Sequence, residues 1–167
     1  VSAAGDLRIG QGIDVHPFDQ GGHRGLRICG VEVPGAPGLA GHSDADVGCH
    51  AVADALLGAA ALGDLGSRFG VDHPETAGAD SVALLGTVVA DVAAAGYAVV
   101  NLDVTIIAQR PRLADHREAM RGAVAGACHL DVGAVSVKFT STDHLGAIGR
   151  GEGIAASATC LLRALQR

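Results

Sequence analysis

The sequence predicts an α+β fold of two layers, with helices packed on one face of a small, about four-stranded mixed sheet. β-branched runs joined by hairpin-type turns alternate with Ala- and Leu-rich stretches long enough to be helices. No internal repeat or low-complexity tail interrupts that order. Arg8 to His16 alternates, with Ile9, Ile13 and Val15 as its apolar members, and reads as a strand that Gly10 and Gly12 weaken. Gln20 to Gly25 is a polar turn, and Leu26 to Cys29 with Val31 to Val33 reads as a hairpin. A Pro- and Gly-rich loop, Pro34 to Gly41, leads to a helix over Asp46 to Leu62, with its cap expected near Ser43 or Asp44.

Gly63 to Ala79 has no period and reads as a functional or mobile loop. A second helix opens at Asp80 or Ser81, runs to about Ala95 and ends at Gly96. Asn101 to Ala108 is a strand ended by Pro111, and a third helix covers about Leu113 to Cys128. Val135 to Thr142 is another strand. In Gly153 to Leu165 alanines and β-branched residues give conflicting signals, and a strand is the reading adopted.

With 167 residues, 49% of them hydrophobic, the chain suits one catalytic domain with a flexible N-terminus over residues 1–7. The net charge of −6, the single lysine Lys138 and four aromatic residues argue against nucleic acid as a partner. No apolar run nears the roughly 20 residues that span a bilayer, and no signal peptide is evident, so the expectation is a soluble, cytoplasmic protein with no membrane partner. Cys29, Cys49, Cys128 and Cys160 are scattered and read as buried free thiols. An acidic chain that handles an anionic substrate needs local positive potential, from metals, arginines or helix N-termini.

Asp14 and His16 stand two apart on a strand, on one face and ~7 Å apart. His50 lies one turn into the first helix, after His42-Ser43-Asp44-Ala45-Asp46. An Asp and two His from different elements form an expected catalytic zinc set with one position open. Asp54, a turn further on, is placed to orient His50. The competing reading makes Asp14 a turn cap and both histidines ordinary polar residues. His42 and Ser43 precede a helix N-terminus, where phosphate is favoured, or else they form a cap with an idle histidine. Asp64-Leu65-Gly66 either contacts a polyol hydroxyl or ends a helix. Thr140-Ser141-Thr142-Asp143 suits phosphate oxygens and a hard cation such as Mg²⁺, or is a plain polar turn. Ala108-Gln109-Arg110-Pro111-Arg112-Leu113 is a rigid bend that holds a base or phosphate, or a solvated loop.

Six blocks, RIGQGIDVHPF, AGHSDADVGCHAVADALLGAAALGDLG, GADS, NLDVTIIAQRPRL, VSVKFTSTDHLG and GRGEGIAA, run in order from about Arg8 to Leu165. Together they resemble the 2-C-methyl-D-erythritol 2,4-cyclodiphosphate synthase family of non-mevalonate isoprenoid biosynthesis. That resemblance implies Asp14, His16 and His50 as ligands of Zn²⁺ or another divalent metal, with His42 and Ser141 stabilising the transition state. It implies that Asp14, His16, His42-Ser43, Asp64 to Gly66 and Phe69 contact the methylerythritol phosphate. Ala108 to Ala114 and Thr140 to Asp143 would cradle the cytidine diphosphate, with Asp143 assisting Mg²⁺ (or Mn²⁺). It further implies a homotrimer with active sites between subunits and Arg150 facing a central cavity. The chain departs from the family pattern at Gly70-Val71-Asp72-His73-Pro74, at Asp143 where glutamate is usual, at Ser141 where threonine is frequent, and at Ala147 where a larger residue is usual.

The reaction so implied is a lyase-type cyclisation in which a 2-phosphate oxygen attacks the β-phosphorus of the CDP group and expels CMP. Two rivals use the same residues: a zinc-dependent phosphoester hydrolase yielding a linear product, and a non-enzymatic trimeric ligand-binding module with a structural metal.

Overall fold

The computed structural model describes residues 7–22, 24–69 and 78–166. The first six residues and the departure from the family pattern at Gly70 to Pro74 lie outside them. The order is β1 (Leu7–Pro17), β2 (Gly25–Ile28), β3 (Val31–Pro37), α1 (Val47–Ala60), α2 (Leu65–Phe69), α3 (Ser81–Ala94), β4 (Tyr97–Ile107), α4 (Arg117–Ala127), β5 (Val135–Thr140), α5 (Gly146–Gly149) and β6 (Gly153–Ala164). A four-stranded sheet has the order β1-β6-β4-β5, and β2 pairs with β3 in a separate ribbon. β6 runs antiparallel to both of its neighbours, whereas β4 and β5 are parallel, so the sheet is mixed as expected. No described helix is long and apolar enough to cross a membrane.

Alternation along each strand sorts the two faces. Ile154, Ala156, Ala158, Cys160 and Leu162 of β6 and Leu102, Val104 and Ile106 of β4 are buried towards the helices. The small side chains of β6 are what the conflicting sequence signals reflected: they leave room for α1, whose Ala55 carbonyl accepts a 3.2 Å contact from the Cys160 thiol. On β1 the inward positions are Gly10, Gly12, Asp14 and His16, while Leu7, Ile9, Ile13 and Val15 point the other way and are at least half exposed. A Cβ at Gly10 would lie 1.9 Å from the Ala55 carbonyl oxygen, and one at Gly12 would lie 2.2 Å from that of Ala51. These glycines therefore do not weaken β1; they let α1 lie directly on it.

The cap of α1 is Asp46, not Ser43 or Asp44. Its fully buried carboxyl accepts the N–H groups of Gly48 and Cys49 at 3.0 Å each, and also those of Cys29 at 2.7 Å and Gly30 at 2.6 Å. One side chain thus closes the helix terminus and ties it to the β2–β3 turn. The other boundaries shift for local reasons. β4 begins at Tyr97, earlier than Asn101, because Gly96 takes the left-handed conformation (φ 89°) that turns the chain out of α3. The third helix starts with a 3₁₀ turn, Ala114–His116, after a cis Arg110–Pro111 peptide. β5 stops at Thr140, where the polar turn begins. Within the irregular 63–79 segment, α2 forms because the Asp64 carboxyl accepts the Ser67 N–H at 2.7 Å.

Two outcomes check this packing. Asp46→Ala would strand four buried N–H donors and is expected to lower stability by about 3–5 kcal/mol, read as a fall in the urea midpoint. Gly12→Ala should cost at least about 1–3 kcal/mol because a backbone carbonyl must move, whereas Gly58→Ala in α1, where a Cβ meets nothing within 4 Å, should be neutral or stabilising by up to ~1 kcal/mol.

Candidate metal centre and active site

Three polar atoms meet where β1 passes the first turns of α1. Asp14 Oδ2 lies 3.0 Å from His16 Nε2 and 2.9 Å from His50 Nδ1, and the two ring nitrogens are 3.4 Å apart. The strand supplies Asp14 and His16 from one face, and the helix brings His50 over them because Gly12 sits two residues before Asp14 and lets the backbones touch. His16 Nδ1 is 2.7 Å from the Ala40 carbonyl oxygen. A carbonyl only accepts, so Nδ1 carries the proton and Nε2 of the neutral ring presents a lone pair to Asp14. Burial works against the Asp14 carboxylate, yet hydrogen bonds and charge from His16 and His50 outweigh it and hold the group well below the usual carboxylate range. When the ring is charged its Nε2–H donates to Asp14, and that bond pushes the His16 pKa up, against its own burial. Both directions express the same demand for positive charge among crowded acceptors.

A metal ion answers that demand. A tetrahedral shell with bonds of about 2.0–2.1 Å separates its ligand atoms by ~3.3 Å, close to the spacing observed, and a carboxylate with two imidazoles leaves a fourth position open. Asp14, His16 and His50 are the one group of three among the described residues placed to hold such an ion. The cleft beside them, about 250 Å³, is also lined by His42, Ser43, Asp54, Leu65, Gly66, Phe69 and Leu84. Most of the residues expected around the metal are therefore brought together.

Asp54 takes a different part from the one expected. The hydrogen bonds of the His50 ring run to Asp14, His16, Ser43 and Ser81, while Asp54 accepts the Leu65 N–H at 2.6 Å and so anchors α2 at the cleft wall. Burial raises the Asp54 pKa, partly offset by that N–H. Asp64 is not among the lining residues; its carboxyl caps α2. Sequence reasoning missed Ser81 and the Ala40 carbonyl. The hydroxyl directly after the Asp80 cap, in the GADS block, was the available signal for Ser81.

A second cleft, about 350 Å³, is lined by Ala108 through Ala114 with Phe139, Thr140 and Ser141. It shares no lining residue with the metal cleft, although both open at the same end of the sheet. His16 pairs with Ile154 and Ile107 with Ala155, so β6 alone separates the two ends, ~10 Å across. Thr142 and Asp143 lie outside the lining, in an exposed turn where Asp143 (φ 49°) and His144 (φ 65°) are both left-handed. There Ser141 Oγ donates to Asp143 Oδ1 at 3.1 Å, and the His144 N–H donates to Gln109 Oε1 at 3.1 Å. Arg150 lies outside both clefts, paired with Glu152 at 2.5 Å.

Known proteins share this arrangement's sequence and fold. Proteins named 2-C-methyl-D-erythritol 2,4-cyclodiphosphate synthase are 55% identical over 156 residues in Chromobacterium violaceum, covering 93% of this chain and 98% of that one, and 52% identical over 161 residues in Marinobacter nauticus, covering 96% and 100%. Among solved structures, the bifunctional IspDF of Campylobacter jejuni matches with a TM-score of 0.91 at 37% identity, over 96% of this chain and 43% of that longer one. The CDP complex of IspF from Plasmodium falciparum matches with a TM-score of 0.84 at 27% identity, over 98% and 100%. With the model of the YgbB family matching residues 7–163, the chain belongs to the YgbB family.

Proposed function

We infer that the chain cyclises 4-diphosphocytidyl-2-C-methyl-D-erythritol 2-phosphate to the 2,4-cyclodiphosphate with release of CMP, in isoprenoid precursor biosynthesis. The observation that carries this reading is the convergence of Asp14, His16 and His50 at 2.9–3.4 Å beside an open cleft, in a chain about half identical to named synthases over nearly its whole length. Asp14, His16 and His50 would hold Zn²⁺, and Asp143, from its exposed turn, would assist Mg²⁺. Bound there, the two ions would polarise and neutralise phosphate charge.

The protein's own contribution is positioning, worth up to about 7–11 kcal/mol for a reaction within one molecule. His42 and Ser43, beside the ligands, would orient the 2-phosphate, and Leu65, Gly66 and Phe69 would hold the methylerythritol against the cleft wall. The bend from Ala108 to Ala114 would take the cytosine and the diphosphate, with Arg110 and Arg112 as its cations. Thr140, Ser141 and Thr142 would donate hydroxyl hydrogens to the diphosphate, and Ser141 with His42 would meet the charge that develops as the β-phosphorus changes partners. No residue is assigned covalent catalysis.

We read the assembly as a homotrimer with composite sites. The sheet face opposite the helices presents Leu7, Ile9, Ile13 and Val15, with Ile9 75% exposed, an apolar stripe of the kind that subunit contacts cover. Division of the site residues between two clefts on one chain supports the same reading.

Phosphorus NMR of the purified protein with substrate and Mg²⁺ is expected to show the cyclic diphosphate and CMP. Both should vanish after chelation, and turnover by His50→Ala should fall by more than about 100-fold; a linear phosphate product would overturn the cyclase reading. Ile9→Arg should leave the helix content unchanged but break the trimer in sedimentation equilibrium, with activity falling in parallel.

A further inference from the structure

His50 Nε2, the ring nitrogen facing away from Asp14, lies 2.9 Å from Ser81 Oγ and 3.0 Å from Ser43 Oγ. A hydroxyl can donate or accept, so these distances alone do not say where the ring proton sits. Asp44 decides it. Its Oδ1 forms a short hydrogen bond with Ser81 Oγ, and its Oδ2 accepts the Ser81 backbone N–H at 3.2 Å. A carboxylate only accepts, so the single Ser81 hydroxyl proton is committed to Asp44. The Ser81 oxygen is left as an acceptor, and the only proton it can receive from His50 is the one on Nε2. With the proton on Nε2, Nδ1 would present its lone pair towards Asp14 and His16.

Among the described residues the Ser81 hydroxyl has one further contact, 3.5 Å from Ser43 Oγ, and Ser81 is not needed as a helix cap. It is 1% exposed, and the α3 terminus is already capped by Asp80, whose side chain accepts the N–H groups of Val82 at 2.8 Å and Ala83 at 3.3 Å. The segment carrying Asp44 is itself registered against the chain leading into α3, through Asp44 N–H to Ala79 O at 3.2 Å and Gly78 N–H to His42 O at 2.9 Å. The carboxylate is therefore held in place before any metal arrives.

We propose that Ser81, oriented by Asp44, is a positioning residue that fixes His50 in the Nε2–H tautomer and keeps Nδ1 available as a metal ligand. Ser43 shares the contact with Nε2, but its oxygen also receives the Ala45 N–H at 3.3 Å, and among the described residues no carboxylate accepts its proton. It cannot impose a direction as Ser81 does. The proposal rests on the reading of Asp14, His16 and His50 as metal ligands, and not on the identity of the substrate.

Two measurements test it without relying on turnover. In metal-free protein with ¹⁵N-labelled histidine, above the pH at which the ring is charged, long-range ¹H–¹⁵N correlation should place the His50 proton on Nε2. In Ser81→Ala the proton should shift towards Nδ1, where Asp14 accepts it, and Zn²⁺ affinity, read by competition with a chromophoric chelator, should fall by about 10–100-fold. Ser81→Thr, which keeps the hydroxyl, should restore affinity to within a few-fold. An Nδ1–H tautomer in the unmodified protein would overturn the proposal, as would a Ser81→Ala affinity within two-fold of the unmodified one. The wild-type spectrum decides the matter even if Ser81→Ala does not fold. A loss of zinc affinity in a protein that makes no cyclic diphosphate would leave the positioning role standing and remove only the cyclase reading.

Discussion

Helix α1 rests on β1 with no strand side chain between the two backbones at Gly10 and Gly12. A methyl group at either position would overlap a carbonyl oxygen of the helix. The usual separation of helix and sheet layers, about 10 Å, is set by the side chains between them, and removing those side chains brings the elements together. Two residues beyond Gly12 the same strand face carries Asp14, and four beyond it carries His16. The helix supplies His50 at the matching height. Ligand atoms 2.9–3.4 Å apart from two elements require such an approach, because a carboxylate on a strand and an imidazole on a helix at normal spacing would be held apart by the layer that packs between them. The small residues Ala156, Ala158 and Cys160 on β6 continue the same close seat across the sheet.

The contact is held in register from the other end by Asp46. Its carboxyl gathers four N–H groups in a site with no solvent, two from α1 and two from the β2–β3 turn, so the helix cannot rotate or slide without stranding buried donors. The loop between the cap and the sheet, His42 to Ala45, is thereby fixed beside the ligands. Ala40, two residues before it, orients His16, and Asp44 within it reaches α3. An acidic chain becomes compatible with a phosphate-rich substrate through this arrangement: negative charge is spread over the surface, while the cleft concentrates acceptors that only a cation can reconcile.

Much of the site was legible because its signals are local. Asp14 and His16 share a face by the period of two, and His50 follows a capped Ala-rich run, so their elements could be named from the sequence. Not legible were the use of the β1 glycines, since a strand interior has no local need of them, and the cap of α1, since Ser43 and Asp44 fit the local pattern equally while Asp46 alone reaches the β2–β3 turn. One helical turn separates Asp54 from His50, and that spacing pairs them on the sequence alone. In three dimensions the Leu65 N–H claims it, an effect of where α2 returns along the cleft that no spacing encodes. Ser81 is hidden for the same reason, being 31 residues from the histidine it touches.

The sequence by itself determined the elements, the faces they present and the chemical kinds of side chain available, since period, cap and turn chemistry act over a few neighbouring residues. It determined the family as well, because six blocks in order cover the chain from about Arg8 to Leu165. Only the tertiary structure decided which acceptors converge, which nitrogen of each imidazole faces the others, and that the ligand residues and the Ala108 to Ala114 bend line separate clefts on one chain. Those outcomes depend on backbone approach and on hydrogen bonds between residues 24 to 37 positions apart, such as His16 with Ala40 and Asp44 with Ser81, which exist only once the layers have packed.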